Sequence, residues 1–194
     1  MKFLEFVSIK AIRPELQALD KDSVINEMVE ALVDAKEIKA DDRESIAAAV
    51  LKREDLGSTG IGKGIAVPHT KHPNVERLIG TVGVSCEGVA FNSLDGEKVQ
   101  LFFLLVSPLD RPGDHLRALE NISRQLRDDT FCKFLKQSKT VEDIQQLLEE
   151  AEYPDEANSI DSEMLNAATH AIDAHLVKEG DLRPQAIAQG ALEG

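Results

Sequence analysis

Apolar residues recur along this chain with two different periods, and each period predicts one type of secondary structure. In residues 21–36 they recur every three or four positions, which predicts an amphipathic helix. A second helix is predicted to begin at Asp41, because Glu44 lies three positions further on and completes a capping-box pattern. Apolar positions continue that helix to about Lys52. Two helices are therefore predicted before residue 53.

The middle of the chain has the patterns of β-strands. Residues 81–87 alternate apolar and polar side chains, with Cys86 on the apolar face, which predicts a half-buried strand. Residues 99–106 are apolar at almost every position, which is typical of a strand at the centre of a sheet covered on both faces. Residues 89–91 predict a further short strand.

More helices are predicted after the strands. Asp114 is predicted to cap the first of them, and Thr140 to begin the last. The residues expected to point inward along these two helices are Leu116, Leu119, Ile122, Leu126, Ile144, Leu147 and Leu148. Phe131, Phe134 and Leu135 indicate a short helix between them. Helices followed by strands and then by helices again indicate an α/β domain, with a mixed β-sheet covered by helices.

Residues 151–194 differ in charge from the rest of the chain. They contain nine acidic and two basic residues, so they carry −7 of the net charge of −13. With Pro154 interrupting the pattern, we predict a domain over residues 1–152 and an acidic, partly helical C-terminal extension over residues 153–194. A narrow apolar stripe within 161–178 is expected to pack on its own domain or on a second copy of the chain, as in a homodimer.

Composition and charge exclude several classes of function. A net charge of −13 argues against a nucleic-acid-binding protein, which would carry a basic face, and against binding to an anionic membrane surface. No apolar run approaches the roughly 20 residues that span a bilayer, and the N-terminus lacks the hydrophobic stretch of a signal peptide. A cytoplasmic location is expected. Cys86 and Cys132 are accordingly expected to be reduced thiols within the core.

Residues 57–69 form the most informative segment, in which four glycines precede a short apolar run, Pro68 and His69. Glycine adopts the positive φ angles that turn backbone N–H groups toward an anion, and proline gives the following residue a rigid support. Such a segment is suited to placing a phosphoryl group on the imidazole. An ordinary surface turn leading into a strand is a simpler explanation of the loop alone.

Two other interpretations of this segment are weaker. The glycines and Lys63 match part of a nucleotide-binding P-loop, but Gly64 replaces the Ser or Thr that holds magnesium, and the sequence does not predict a strand before the loop or a helix after it. His69 and His72 lie three positions apart, but no third metal ligand lies nearby in the sequence and the neighbouring prolines disfavour a shared helix. No metal site is predicted.

The sequence from Arg53 through the glycines to His69 resembles the phosphorylation-site region of enzyme IIA proteins of the fructose/mannitol class. These proteins belong to the bacterial phosphoenolpyruvate:sugar phosphotransferase system. The wording Gly-Ser-Thr-Gly-Ile-Gly is most similar to the nitrogen-regulatory branch, and the Gly-Asp-His-Leu segment that contains His115 resembles the second active-site histidine of the family. The resemblance covers about residues 1–150, and it implies the enzyme IIA fold. Thr70 departs from the small residue that many members carry beside the site.

In that family the histidine after the proline is phosphorylated, so the resemblance implies that His69 is the phosphoacceptor. It also implies that Arg53 stabilises the phosphoryl oxygens and that His115 donates a hydrogen bond from its ring. Position alone explains Arg53 equally well as a cation that complements a helix dipole. Phosphate-binding donors are further predicted in the loop, at Ser58, Thr59 and Gly60. No cofactor is implied, because the donor and the acceptor of the phosphoryl group are both protein histidines.

Two classes of function follow from the resemblance. In the first, the protein receives a phosphoryl group from a histidine phosphocarrier protein, and its phosphorylation state decides which proteins it binds. In the second, it is a stand-alone IIA subunit for fructose- or mannitol-type sugar uptake and passes the phosphoryl group to a cysteine of an enzyme IIB. The lack of a fused IIB or IIC portion in this sequence favours the first. A structural relative that is not phosphorylated is the third alternative.

Overall fold

The computed structural model describes residues 1–151, in which helices and strands follow one another in the predicted order. The helices are α1 (Phe3–Phe6), α2 (Lys21–Asp34), α3 (Arg43–Asp55), α4 (Pro112–Gln125), α5 (Asp129–Gln137) and α6 (Val141–Glu150), with 3₁₀ turns at Ile9–Ala11 and Ala40–Asp42. The strands are β1 (Gly60–Gly62), β2 (Ile65–Ala66), β3 (His69–Lys71), β4 (Ile79–Val89) and β5 (Val99–Ser107). The helix predicted within 161–178 and the extension predicted over 153–194 lie outside the described residues.

β5 is the central strand of a mixed five-stranded sheet, as the sequence predicts. One edge of β5 pairs in parallel first with β2 and then with β3, and the other edge pairs antiparallel with β4. β1 extends the sheet by pairing with β2. Pro68, which lies between β2 and β3, has no N–H to donate, but its carbonyl accepts from the N–H of Leu105 at 3.0 Å. The chain therefore stays on the sheet across the proline and brings His69 opposite Leu105.

The alternation of side chains along β5 divides the interior into two cores. Phe102, Leu104 and Val106 pack with residues of α2 and α3. Leu101, Phe103 and Leu105 pack with residues of α1, α4, α5 and α6. Because helices cover both faces of the sheet, β5 is apolar at both, and the prediction of a mixed sheet covered by helices is confirmed.

β4 differs from the prediction of a half-buried strand. Both of its faces are buried from residue 79 to residue 85, because the two helical layers cover it as they cover β5. The pairing of β4 with β5 shifts register before Val89, and Cys86 lies within this irregular stretch and is exposed. The prediction that Cys86 lies in the core is therefore wrong, whereas Cys132 is buried as predicted. Residues 89–91 do not form a separate strand, since Val89 ends β4.

The start of α3 and the end of α2 also differ from the predictions. The chain enters α3 through the 3₁₀ turn at Ala40–Asp42, so the helix begins at Arg43 and the predicted capping box does not form. α2 stops two residues early because Lys36 adopts a left-handed φ of 61°. The N–H groups of Lys36 and Glu37 then bond back to the carbonyls of Val33 and Leu32, both at 2.9 Å, which closes the helix end.

α4 turns a different set of residues inward than the sequence predicts. The helix begins at Pro112, with Asp114 inside its first turn rather than at the cap. His115 therefore faces the interior, and Leu116 is 66% exposed. Phe134, one of the residues that indicated the short helix α5, is likewise exposed. None of the helices within residues 1–151 combines the length and the apolar character needed to cross a bilayer.

Candidate functional site

His69 is the first residue of β3 and is half-buried. Its Nδ1 lies 2.8 Å from the carbonyl oxygen of Val67, two residues earlier. A carbonyl oxygen accepts hydrogen bonds but cannot donate them, so the ring proton is on Nδ1 and the lone pair is on Nε2. The rigid turn through Pro68 makes this contact possible, because it returns the ring to the backbone that precedes it.

The surroundings of His69 keep its ring neutral. Burial is the main cause that lowers the pKa of His69 below its usual value of 6.5, and the positive charges of Arg53 and Lys71 lower it further. The hydrogen bond to Val67 acts in the opposite direction but does not outweigh them. At neutral pH the unprotonated Nε2 is therefore available as a nucleophile.

His115 lies opposite His69, although it comes from a different element of the fold. It is a buried residue in the first turn of α4, and the centres of the two imidazole rings are 5.3 Å apart with the ring planes tilted by 57°. Nδ1 of His115 lies 2.5 Å from the hydroxyl oxygen of Ser107, the last residue of β5. The turn between β5 and α4 thus brings the second predicted histidine against the first.

The pKa of His115 is lowered to about 4, mainly by burial and further by the charges of His69 and Lys71. The ring is therefore neutral across the physiological range. It can donate a hydrogen bond without adding a positive charge to the site.

Arg53 lies in the last turn of α3, as the sequence predicts, at the entrance to the glycine-rich loop. Its guanidinium donates a hydrogen bond to the carbonyl oxygen of Gly57 at 2.9 Å. Its positive charge also lowers the pKa of His69.

Lys71 is a residue of this site that the sequence analysis missed. It follows His69 by two positions on β3, so the two side chains leave the strand on the same face. Its charge lowers the pKa values of both His69 and His115. The signal that could have found it is the period of two along a short strand that begins at the predicted phosphoacceptor.

The three loop residues predicted to bind phosphate have partners within the protein. The hydroxyl of Ser58 donates to the carbonyl of Phe91 at 2.9 Å and accepts from the N–H of Gly60 at 3.0 Å. The N–H of Thr59 donates to the carboxylate of Glu54 at 3.0 Å, and the hydroxyl of Thr59 donates to the same oxygen. These contacts hold the loop against the domain, and a phosphate-binding role for the three residues stays a prediction.

Glu54 is a second residue that the sequence analysis missed. It is only 4% exposed, yet its carboxylate binds the loop through Thr59 and forms an ion pair with Lys21 of α2 at 3.3 Å. Burial raises the pKa of Glu54, and its contacts with Thr59 and Lys21 oppose that rise. The sequence gave no sign that Glu54 is buried, because a carboxylate in the last turn of a helix is usually solvated.

His72 has a different environment from His69, three residues away. It is buried, its Nε2 lies 2.9 Å from the hydroxyl of Ser45, and its Nδ1 accepts the N–H of Asn74 at 3.2 Å. Both ring nitrogens are thus used within the fold. Among residues 1–151, His, Cys, Asp and Glu side chains form no group of three that could hold a metal ion.

A cavity of about 390 Å³ lies at the other end of the sheet, next to the paired residues Ile65 and Leu101. Its wall includes Lys63, Lys136 and Asp129. Lys63 forms an ion pair with Asp129, and the amine of Lys136 donates to the carbonyl of Lys63, so these cations already have partners. The cavity is distinct from the histidine pair, which lies where β3 joins β5.

The histidine pair and its neighbours have a clear chemical capability. An unprotonated Nε2 on His69 is a nucleophile, and the cations of Arg53 and Lys71 act on the same ring. His115 adds a neutral ring that can donate a hydrogen bond across a short gap. This combination is suited to accepting a group that is electrophilic and carries negative charge, as a phosphoryl group does.

Comparison with known proteins agrees with this chemistry. The family model described as "Phosphoenolpyruvate-dependent sugar phosphotransferase system, EIIA 2" matches residues 5–151. A nitrogen regulatory protein of Bradyrhizobium diazoefficiens is 34% identical over 148 residues, which cover 76% of this chain and 95% of that protein. A fructose-specific EIIABC component of the phosphotransferase system of Bacillus subtilis is 35% identical over 144 residues, which cover 74% of this chain and 22% of that protein.

The fold is also similar to a solved structure. The crystal structure of the nitrogen regulatory protein IIA-Ntr from Neisseria meningitidis matches with a TM-score of 0.68 and 26% sequence identity. The match covers 74% of this chain and 97% of that one.

Proposed function

This chain belongs to the EIIA type 2 family of the phosphoenolpyruvate-dependent sugar phosphotransferase system, and we propose that it carries a phosphoryl group on Nε2 of His69. The hydrogen bond of 2.8 Å between Nδ1 of His69 and the carbonyl of Val67 is the observation that carries this proposal. It leaves the lone pair on Nε2, and the lowered pKa of His69 keeps that nitrogen unprotonated.

The proposed transfer needs no proton to move. The lone pair of Nε2 forms a new N–P bond while the N–P bond of a donor phosphohistidine breaks, and the donor imidazole keeps the electron pair of that bond. The proton on Nδ1 stays in its hydrogen bond to Val67 throughout. Because the transition state is loose and its charge is spread over the phosphoryl oxygens, the positive charges of Arg53 and Lys71 would stabilise it.

The donor in this proposal is a histidine phosphocarrier protein, whose surface must come close enough for direct transfer between the two imidazoles. Exposed apolar side chains beside the functional residues support contact with a protein. Leu56 follows the helix that holds Arg53 and is 81% exposed, and Leu116 is adjacent to His115 and is 66% exposed. Exposed apolar residues of this kind are common where proteins dock.

A nitrogen-type regulatory role is the first candidate use of the phosphoryl group. It is supported by the 34% identity with the nitrogen regulatory protein of Bradyrhizobium diazoefficiens over 95% of that protein. Sugar uptake with transfer to an enzyme IIB is the second candidate, and the similarity to the EIIABC component favours it.

The phosphoacceptor assignment is tested by labelling. Incubation with phosphoenolpyruvate, enzyme I and a histidine phosphocarrier protein is expected to add an acid-labile, base-stable phosphate to the wild-type protein. His69→Ala should abolish the label, whereas His72→Gln should retain it, because the ring of His72 bonds Ser45 and Asn74 instead of facing the site. Wild-type labelling of the His69→Ala protein would refute the assignment.

A discharge experiment separates the two roles. The labelled protein is mixed with a fructose-type enzyme IIB, and loss of label is followed with time. Rapid appearance of phosphate on the IIB cysteine supports sugar uptake. Retention of the label on the protein, over a time much longer than its own phosphorylation takes, supports regulation.

The labelling assay also tests the proposed division of the chain. We propose that residues 1–152 suffice for phosphorylation, and the family match over residues 5–151 supports this. A protein truncated after Glu152 should accept phosphate at the wild-type rate. A folded truncated protein that is not labelled would give residues 153–194 a part in the reaction.

A further inference from the structure

Among residues 1–151, the side chain of Ser107 makes one hydrogen bond, and its partner is the second histidine of the site. The residue is completely buried at the end of β5, and its hydroxyl oxygen lies 2.5 Å from Nδ1 of His115. Within residues 1–151 the hydroxyl has no other hydrogen-bond partner. The proton in this hydrogen bond is therefore carried either by Oγ of Ser107 or by Nδ1 of His115.

Counting donors and acceptors decides between the two places. If Nδ1 of His115 donated, the hydroxyl hydrogen of Ser107 would be buried without an acceptor, at a cost of roughly 1–3 kcal/mol. If the hydroxyl donates, its hydrogen has an acceptor, and Nδ1 is unprotonated and accepts that hydrogen bond. The neutral imidazole has one ring proton, which must then be on Nε2. Burial keeps the ring neutral, so the protonated ring does not compete at neutral pH.

We propose that Ser107 is a positioning residue: its hydroxyl donates to Nδ1 of His115 and holds that ring in the tautomer with its proton on Nε2, so that the hydrogen bond expected of His115 toward the phosphoryl group comes from Nε2. The inference rests on the proposed function for its second part only. The tautomer itself follows from the contacts of the described residues.

The two histidines then have opposite and complementary protonation at Nε2. The carbonyl of Val67 is an acceptor and draws the proton of His69 to Nδ1, which leaves a bare Nε2. The hydroxyl of Ser107 is a donor and leaves the proton of His115 on Nε2. One ring therefore supplies the nucleophile and the other supplies a neutral hydrogen-bond donor, across rings whose centres are 5.3 Å apart.

The backbone holds Ser107 in position for this task. Its carbonyl accepts the N–H of His72 at 2.9 Å, and β5 pairs Ser107 with Lys71 of β3. The strand that carries His69 is thus tied directly to the residue that orients His115. A donor held in place before the reaction needs no reorganisation when charge develops on the phosphoryl oxygens.

The tautomer is tested without any phosphoryl donor, by long-range ¹H–¹⁵N correlation NMR on the full-length protein at pH 7.5. The wild-type spectrum is expected to show a protonated Nε2 and a bare, hydrogen-bonded Nδ1 for His115, and the reverse for His69. In Ser107→Ala the ¹⁵N chemical shift of Nδ1 of His115 should lose the change that the hydrogen bond from the Ser107 hydroxyl causes. A protonated Nδ1 of His115 in the wild-type protein would overturn the proposal.

The effect on the reaction is tested by a double-mutant cycle on the rate of labelling. Ser107→Ala should slow transfer about ten-fold, and Ser107→Thr, which restores a hydroxyl, should recover part of the rate. In a His115→Ala background, Ser107→Ala should change the rate by less than about two-fold, because there is no ring left to orient. An undiminished effect in that background would mean that Ser107 acts on the fold and not on His115.

Ser138→Ala is the matched control. Ser138 is also a buried serine whose hydroxyl makes a hydrogen bond, here to the carbonyl of Phe134 at 2.8 Å, and it contacts neither histidine. Its loss should leave the labelling rate and the spectrum of His115 unchanged. If His69→Ala were still labelled, the proposed function would fail while the tautomer measurement kept its meaning, so the two failures can be told apart.

Discussion

The glycine-rich loop and the histidine pair are adjacent, but their polar groups are used differently. In the loop, the donors of Ser58, Thr59 and Gly60 bind other groups of the same domain. In the histidine pair, Nδ1 of each ring is hydrogen-bonded within the protein, to Val67 or to Ser107, and Nε2 is the nitrogen to which we assign a part in the proposed transfer.

From this difference we infer that the loop is mainly a support and that the proposed chemistry takes place where the strands end. Glu54 anchors the loop from behind through Thr59, and the loop carbonyl of Gly57 in turn binds Arg53. The histidines occupy the junction of β3, β5 and α4, where the centres of the two imidazole rings are 5.3 Å apart. The four predictions below test this division of roles.

Loss of a donor or a cation at the histidine pair is expected to have the largest effect. His115→Ala and Arg53→Ala should each slow phosphoryl transfer roughly 100- to 1,000-fold, because each removes a group that stabilises charge in the transition state. The melting temperature of Arg53→Ala should stay close to that of the wild type, whereas His115→Ala should melt somewhat lower because it leaves the buried hydroxyl of Ser107 without its acceptor. Single-turnover labelling measures the rate, and two stable variants that transfer at the wild-type rate would remove both residues from the site.

Loss of the loop anchor should affect stability instead. Glu54→Ala leaves Lys21 and two donors of Thr59 without their buried partner, and we expect the free energy of unfolding to fall by about 3 kcal/mol. Urea denaturation measures the change, and Glu149→Ala on the exposed face of α6 serves as the control. A Glu54 variant of normal stability that transfers a hundred-fold more slowly would instead assign the loop to the chemistry.

The pH dependence of stability should carry the signature of His115. Its pKa is about 4 in the folded protein against a usual value of 6.5, so between these values the unfolded chain binds a proton that the folded protein does not. The free energy of unfolding should therefore fall as the pH drops from 6.5 to 4, by at most about 3 kcal/mol from this group. Denaturation of wild type and His115→Gln across this range isolates the contribution. Parallel curves would contradict the burial of a neutral ring.

The smallest effect is expected at Ser58. Ser58→Ala removes one hydroxyl that bonds Phe91 and Gly60, which should cost about 1 kcal/mol of stability. The transfer rate should stay within about two-fold of the wild type if the hydroxyl is structural. A ten-fold slower transfer would give the hydroxyl the phosphate-binding role that the sequence predicts.

Predictions made from neighbouring residues agree best with the structure. The apolar run of residues 99–106 forms the central strand, and Arg53 ends its helix beside the loop. Errors of two kinds occur. Cys86 is exposed because its strand shifts register against a strand distant in sequence, whereas Leu116 is exposed because the end of a helix was misplaced and α4 begins two residues before the expected cap.

By itself the sequence determined the order of helices and strands, the buried centre of the sheet and the rigid support of His69. These depend on periodicity and on the chemistry of residues a few positions apart, which local backbone geometry expresses directly. Only the tertiary structure decided that the ring of His115 lies beside that of His69 and that Ser107 forms a hydrogen bond with Nδ1 of His115. It also decided that the charge of Lys71 lowers the pKa values of both rings. Those contacts join β3, β5 and α4 through strand register and helix rotation, and a shift of one residue in either would send the same side chains elsewhere.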